Sequence, residues 1–489
     1  MAIARALWSE TSRTAWLLLG SAVLVLAFLG TGELWTHEGR WAVICLKMME
    51  TGKYFHPYQF DEAYYDKPLL SYWIIIGFAR ALGGLHEWTL RLPSALAAVL
   101  SIWCTYRIGA RLFDRATGLL AGWVLTTSAM FVFWGRIASA DMLNVLGTIG
   151  AVAWYVERRD KPGWLSHSLF WLILGVACQT KGLVAAVVAY LAVLPDLLMG
   201  KRWRSHLRPS LFLSLVPAVA VYIAPFFASS LLDPKYEESG LWQVFRENVL
   251  RYFAAYDHQN PPYSYFLWLP GFLIPWSLLL PWVIWRAVRR WKDLSPASRW
   301  LAWANLLVFL MFTASGSRRS YYILPMLPLT ALWLADWLRP REASASRLRA
   351  CAALATAAGA LILVWFCIAI PYSLRLGGFR LFAQEVKSVA ETRAPWEKWN
   401  VLLVDISPHS GYYLHNGRLP HNVNFPDRNT VTAHLKAHPR TIVVTRRTCL
   451  AEVLTFFDRE PQIVPLRSRL PEGLRSLQSE EDAAVALIP

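Results

Sequence analysis

The residues with chemistry to offer fall in short polar islands between long apolar runs. They are His37 and Glu38 with Arg40; Tyr64, Tyr65, Asp66 and Lys67 ahead of Pro68; and Asp141 at the end of GRIASAD. Further on come Lys181 in QTKG, then Arg251, Tyr256, Asp257 and His258, then Ser317-Arg318-Arg319-Ser320-Tyr321-Tyr322. Lys67, Lys181, Arg318 and Arg319 are suited to converge on one anion, guanidinium as a fork and ammonium as a point charge. Glu38 and Asp141 are two carboxylates from different islands. One can take a proton from an attacking hydroxyl, or ease attack by an ionised phosphate, while the other orients the acceptor or a cation. The tyrosines suit stacking on a sugar as well as anchoring at an interface.

Each residue also has a plain structural explanation. Tyr64, Tyr65, Tyr321 and Tyr322 fit an aromatic belt, Arg40 fits a pair with Glu38, and Asp141 fits a pair with Arg136. Lys181 can snorkel to a membrane surface, and a lone histidine such as His258 is usually structural. The collection points further than any member does.

The elements that must position these islands are membrane helices. The chain has 489 residues, 55% hydrophobic and only 17% charged, with 26 Trp, a composition that argues against a soluble protein. Apolar runs at roughly 14–31, 91–106, 116–134, 142–156, 166–179, 182–199, 209–228, 265–285, 300–314, 321–338 and 350–371 predict about eleven spans. Trp16 to Leu29 reads as a retained first span, because no cleavage pattern follows it. The six cysteines show no CxxC spacing and four lie in apolar runs, so neither a disulfide framework nor a zinc site is expected.

Basic residues sort the loops into two sides. Arg107, Arg111 and Arg115, Arg158 to Lys161, Lys201 to Arg208, Arg286 to Lys292 and Arg339 to Arg349 alternate with the polar islands. They define a cytoplasmic side that includes the N-terminus, and they account for the net charge of +16 without nucleic acid. Residues 69–83 are apolar but short and contain Arg80; a crossing there would flip every later loop. They are expected to lie along the outer face. All the candidate residues then collect outside, where an ionisable group at membrane depth is functional by default and a lipid phosphate is the natural anion.

Residues 1–371 are expected to form the transmembrane domain, and 372–489 a small α/β domain on the outer side. Strand-like runs at Val401–Ile406 and Thr441–Thr445 alternate there with helix-like stretches at Leu381–Glu391 and Thr448–Phe457.

The ordered pattern HEGRWA (37–42), METGKYFHPY (49–58), YYDKPLLSYW (64–73), RLPSAL (91–96), GRIASADM (135–142), TKG (180–182), DHQNPPYSYF (257–266) and SRRSYYILP (317–325) resembles a known family. It is similar to the bacterial aminoarabinose-transferase branch of the protein-mannosyltransferase-like membrane glycosyltransferases, which have the GT-C fold. The likeness covers about residues 30 to 340. It implies a polytopic inner-membrane enzyme, with cytoplasmic N-terminus and periplasmic C-terminal domain. Such an enzyme moves a sugar from undecaprenyl phosphate to lipid A, another glycan or a protein hydroxyl. By this resemblance Lys67, Lys181, Tyr64 and Tyr322 surround the donor phosphate, joined by Arg318. Asp141 matches the acidic residue of the second outer loop, and Arg40, Tyr65, His258 and Arg319 are further substrate contacts.

There are two departures. The family's Asp-Glu pair in the first outer loop appears as His37-Glu38. Either residue takes over the missing Asp's role, an imidazole being a base near neutral pH, or the acceptor differs. Arg318-Arg319 stands where a lysine is common. No phosphate-cradling glycine loop is present, so no nucleotide is expected; a divalent cation stays open. The rivals are a flippase for polyprenyl-linked sugars, which should show mid-membrane groups and repeated halves, and an inactive lipid-binding relative.

Overall fold

The computed structural model describes residues 10–64, 66–232, 241–338, 345–375, 378–407, 409–423, 428–466 and 484–489. Every apolar run expected to span is helical. Pro209–Leu232, Pro296–Ala314 and Arg349–Tyr372 are long and apolar enough to cross a membrane. Arg115–Thr126 with Ala129–Gly135, and Ser264–Phe272 with Trp276–Arg289, also qualify as pairs, bent by 70° and 117°. By length and composition, then, three to five spans stand out among the described residues, where the sequence predicts about eleven. Part of the difference is length. Val184–Met199 has 16 residues, a rise of about 24 Å against a hydrocarbon core of about 30 Å. Residues 69–83 hold the helix Leu70–Ala81, 12 residues with Arg80 in its last turn.

The chain divides into two compact units. The first comprises residues 1–29, 65–74 and 91–365. Helix Ala140–Arg158 packs on Trp164–Lys181, which also packs on Leu215–Leu232. Val184–Met199 lies on Pro296–Ala314, and Arg115–Thr126 on Leu327–Leu338. Small residues allow the close approaches, as is common where lipid gives helices no hydrophobic reason to associate. A Cβ on Gly147 would overlap Ala177, and one on Gly175 would overlap the Ala218 carbonyl. At the arginine-rich end, Asp196 accepts from Tyr155 Oη at 2.8 Å and from Arg159 and Arg202 at 3.3 Å each. His167 there bridges Ser210 (2.8 Å) and His206 (3.2 Å).

The second unit comprises residues 30–64, 75–90 and 366–489. Its centre is a five-stranded sheet of β3 (Asn400–Val404), β4 (His421–Val423), β5 (Thr441–Arg446), β6 (Gln462–Pro465) and β7 (Ala484–Ile488), in the order β4-β3-β5-β7-β6. The β4-β3-β5 half is parallel and the β5-β7-β6 half antiparallel. Alternating residues feed two cores. Val401, Leu403, Ile442 and Val444 face helix Phe379–Glu391, while Leu402, Val404, Val443 and Leu487 face Val431 and Val453. Both expected strands and the expected helix at 381–391 are present; the stretch 448–457 is helical only at Leu450–Leu454, after a 3₁₀ turn.

Segments far upstream are built into this unit. A short hairpin, β1 (Tyr58–Gln59) with β2 (Glu62–Ala63), puts Phe60 into the sheet's core. Glu33 accepts from the Phe379 and Arg380 amides at 3.0 and 2.8 Å, placing a carboxylate on the N-terminus of helix Phe379–Glu391. Arg380 in turn donates to Glu87 at 2.6 Å, and Tyr413 Oη accepts from the Leu34 amide at 2.9 Å. Gly39 sits so close to the His409 backbone that a Cβ there would overlap it.

Candidate active site

In the first unit, two helix ends meet. Asp141 opens helix Ala140–Arg158, where its charge suits the N-terminal dipole, and Ser139 Oγ accepts from the Asp141 amide at 3.2 Å. Lys181 closes helix Trp164–Lys181, where a cation suits the C-terminal dipole. These helices pack together, so their complementary ends form a Lys181–Asp141 ion pair. Gly182 follows at φ +107°, a conformation that side chains rarely adopt. Asn248 lies over it, its Oδ1 accepting from the Leu183 amide at 2.6 Å. The TKG sequence therefore fixes the end of the lysine's helix. Ser71 adds a bond from its Oγ to the Thr180 carbonyl, 3.0 Å.

The ammonium of Lys181 also lies 4.6 Å from the Tyr322 ring centre and 5.3 Å from that of Tyr321. Both tyrosines belong to the 3₁₀ helix Ser320–Met326, and Tyr321 packs on Trp134 with ring centres 4.4 Å apart. Arg319 donates to Tyr321 Oη at 2.7 Å.

A cavity of about 410 Å³ adjoins this cluster. Its polar wall includes Asp66, Lys67, Asn144, Lys181, Arg251 and Tyr322, and its apolar wall includes Leu183, Val187, Phe253, Met311 and Phe312. Lys67 Nζ donates to the Asp66 carbonyl at 3.0 Å. Arg251 is gripped by Glu247 at 2.6 Å and Asp257 at 2.5 Å. Asp257 also accepts from Ser317 Oγ at 3.1 Å and lies 3.1 Å from His258 Nε2. Burial and the nearby Arg319 guanidinium hold the His258 imidazole below its ordinary value, against the pull of Asp257.

The structure thus brings Lys67, Lys181 and Tyr322 to one cavity, with Asp141 on Lys181 and Arg319 beside Tyr321. Arg318 is placed differently. Its guanidinium donates to the Asn260 and Thr313 carbonyls at 2.6 and 3.1 Å, and it is not among the residues lining the cavity. Arg251 supplies the guanidinium there. Arg136 bonds the carbonyls of Val25 and Ala27 at 2.8 and 2.7 Å, leaving Asp141 to Lys181. Tyr65 lies outside the described residues.

The second unit holds the other predicted residues. Glu38 is fully buried, and its Oε2 accepts from the Trp35 amide at 2.9 Å, capping helix Thr36–Thr51. His37 meets Trp35 edge-on with ring centres 5.1 Å apart, and the Arg40 guanidinium sits 5.0 Å over the Tyr64 ring. Tyr412 and Tyr413 are packing residues here: Tyr412 is buried, and Tyr413 bonds the Leu34 amide.

The sequence does not single out Asn144, Glu247 and Asn248, and it gives Asp66 and Arg251 no role. A signal existed for three of them. Asn144 falls on the face of Asp141 three residues on, and Glu247 and Arg251 are an i,i+4 pair. Among the described residues no group of three His, Cys, Asp or Glu side chains is arranged to hold a metal.

Residues 66–228 match the dolichyl-phosphate-mannose-protein mannosyltransferase family. The chain is 28% identical over 375 residues to an undecaprenyl phosphate-α-4-amino-4-deoxy-L-arabinose arabinosyl transferase of Pseudomonas fluorescens Pf0-1, covering 70% of this chain and 61% of that one. It is 30% identical over 341 residues to the corresponding transferase 1 of P. fluorescens Pf-5, covering 67% and 60%. The chain therefore spans about three-fifths of the length of these relatives. In fold it is similar to ArnT from Cupriavidus metallidurans bound to undecaprenyl phosphate, with a TM-score of 0.74 at 18% identity, over 97% of this chain and 98% of that one. It is similar more distantly to the Archaeoglobus fulgidus oligosaccharyltransferase, with a TM-score of 0.54 at 11% identity, over 92% and 71%.

Proposed function

The chain is aminoarabinose-transferase-like and has the GT-C fold, and on that premise we propose that it is an inverting glycosyltransferase using a polyprenyl phosphate-linked sugar. The observation that carries this reading is the cavity. It sets cations for a phosphate (Lys67, Lys181, Arg251) beside an apolar wall for an isoprenoid, and one of those cations holds the carboxylate of Asp141.

The reaction then runs as a single displacement. An acceptor oxygen forms a bond to the anomeric carbon on the face opposite the phosphate. The carbon–oxygen bond to the phosphate breaks, and the phosphate leaves with its electron pair. It departs as a stable anion held by the ammoniums and Arg251, so little acid assistance is needed. The acceptor's proton passes to a carboxylate, or is already gone where the acceptor is a phosphate. Asp141 takes the acceptor-side carboxylate role once Lys181 turns to the incoming phosphate. His37 and Glu38 serve acceptor positioning in place of the family's Asp-Glu pair, and Tyr64, Tyr65, Arg40, His258, Arg318 and Arg319 belong to substrate loops at the outer face.

The proposal keeps the topology expected from the apolar runs and basic loops of the sequence: about eleven crossings, a cytoplasmic N-terminus and a periplasmic domain from about residue 372. The acceptor is lipid A or another envelope glycan or protein. The test is mass spectrometry of extracted lipid A and envelope glycolipids from a deletion strain complemented with wild type or Asp141→Asn at matched expression. A glycosyl mass increment present with wild type and lost in the variant is expected. No increment with either protein would remove the lipid acceptor and turn the search to glycoproteins and polysaccharide, whereas the same increment with both would remove Asp141 from the reaction.

A further inference from the structure

Helix Ala140–Arg158 carries Asn144 one turn beyond Asp141, on the same face. Asn144 is fully buried, and neither atom of its side-chain amide, Nδ2 or Oδ1, has a hydrogen-bond partner among the described residues. An asparagine kept for structure bonds within the protein, because an unsatisfied buried amide is costly and a leucine fills the same space without that penalty. Asn144 nevertheless forms part of the cavity wall with Lys67, Lys181 and Tyr322. Its partners are to be sought in what enters the cavity.

The amide fixes the chemistry of that occupant. Nδ2 needs an acceptor and Oδ1 needs a donor. A phosphate supplies acceptors, and it draws ammonium groups, each with three hydrogens to share, to its side. We infer that Asn144 is a positioning residue for the phosphate head of a polyprenyl phosphate. Its Nδ2 donates to a phosphate oxygen, and its Oδ1 accepts from Lys67 or Lys181 drawn to that phosphate. This role rests on the cavity being the donor site. Reaching so buried an amide requires the wall to shift. The Lys181–Asp141 pair is the contact that an incoming anion would open, since the anion competes for the same ammonium. The rival occupant is a single buried water, which would satisfy the amide and leave phosphate binding indifferent to it.

The experiment titrates undecaprenyl phosphate into the full-length protein in nanodiscs of zwitterionic lipid, followed by tryptophan fluorescence. Wild type, Asn144→Leu, Asn144→Asp and Lys67→Met are compared, with thermal unfolding of each in the absence of ligand. Asn144→Leu is expected to unfold at or above the wild-type temperature while binding about tenfold or more weakly, the loss of a hydrogen bond to a charged group. Asn144→Asp is expected to bind more weakly still, because it sets a carboxylate against the phosphate. Wild-type affinity in both Asn144 variants, with Lys67→Met impaired, overturns the role of Asn144 and leaves the donor-site reading standing. Wild-type affinity in Lys67→Met as well overturns that reading with it. Should Asn144→Leu fail to fold, Asn144→Asp decides alone: unchanged affinity sinks the inference.

Discussion

At the scale of the residue, the Lys181–Asp141 pair is the feature with the clearest energetic consequence. Both side chains are nearly buried, at 13% and 9% exposure. Removing one partner strands the other's charge, which typically costs about 3–5 kcal/mol. Lys181→Met is therefore expected to unfold at a markedly lower temperature than wild type, and Lys181→Met combined with Asp141→Asn to recover most of the loss. Neither should transfer sugar. Thermal unfolding in detergent beside the transfer assay checks this; full activity in the double variant would remove both residues from the reaction. Glu38 calls for a different substitution. Glu38→Gln keeps an acceptor for the Trp35 amide but not a base. It should fold normally and lose transfer if Glu38 handles the proton, and retain transfer if it only caps its helix. The residues most open to reading from the chain were those with a charge in an apolar setting, such as Lys181. Arg251 stands in one of the polar islands without a role, because its importance depends on the cavity it lines, which sequence spacing does not reveal.

At the scale of the element, Gly182 shows how a helix end places a functional side chain. A residue with a Cβ at φ +107° is strained, and it would collide with Asn248 as well. Gly182→Ala should cost roughly 1–3 kcal/mol from the backbone alone and displace Lys181, lowering both unfolding temperature and transfer. Gly182→Ala with unchanged stability and transfer would show that this turn has no part in setting the site. Helices were the best-predicted elements, because every long apolar run became one. Their breaks were not. The 70° and 117° bends fall inside stretches that read as continuous hydrophobic spans, although Pro275 in the second break is a residue that cannot continue a helix. In the tail, β3 stood out as an apolar run and β5 as a β-branched one, whereas β4 and β6 are short and their identity rests on the strands beside them.

For the molecule as a whole, the second unit joins residues more than 300 positions apart, and that is the part of the architecture least visible in the chain. One of its ties responds to pH. Asp61 bonds Lys47 at 3.1 Å and lies 3.4 Å from His421 Nδ1. The bond to His421 holds the Asp61 carboxyl down to about 2, and the same bond raises the His421 imidazole above its ordinary 6.5. The His421 contribution is complete below 6.5 and fades as pH climbs through the raised value. The Asp61 contribution is complete above 3.8 and disappears towards 2. Coupling should therefore be greatest between these limits, and small, since both groups are more than half exposed. His434, beside His421, acts oppositely. Burial lowers it to about 4, so its neutral form loses support as pH falls below 6.5. A double-mutant cycle of Asp61→Asn and His421→Gln isolates the pair. Its coupling in thermal unfolding should be measurable near about pH 5 and absent near about pH 9; a coupling that persists at the higher pH would mean the contact is not ionic.

The carboxylates already seated on the cavity's cations bear on turnover. In the proposed reaction a phosphodiester with one negative charge becomes a phosphomonoester carrying about −1.5 to −2 near neutral pH, so the spent carrier would cling to the cations more tightly than the substrate it replaces. Asp141, Glu247 and Asp257 are tethered competitors for Lys181 and Arg251, present at high effective concentration and able to reclaim them as the product loosens. Glu247→Gln should therefore slow carrier dissociation and deepen product inhibition while leaving the first turnover nearly intact, a burst followed by a stall.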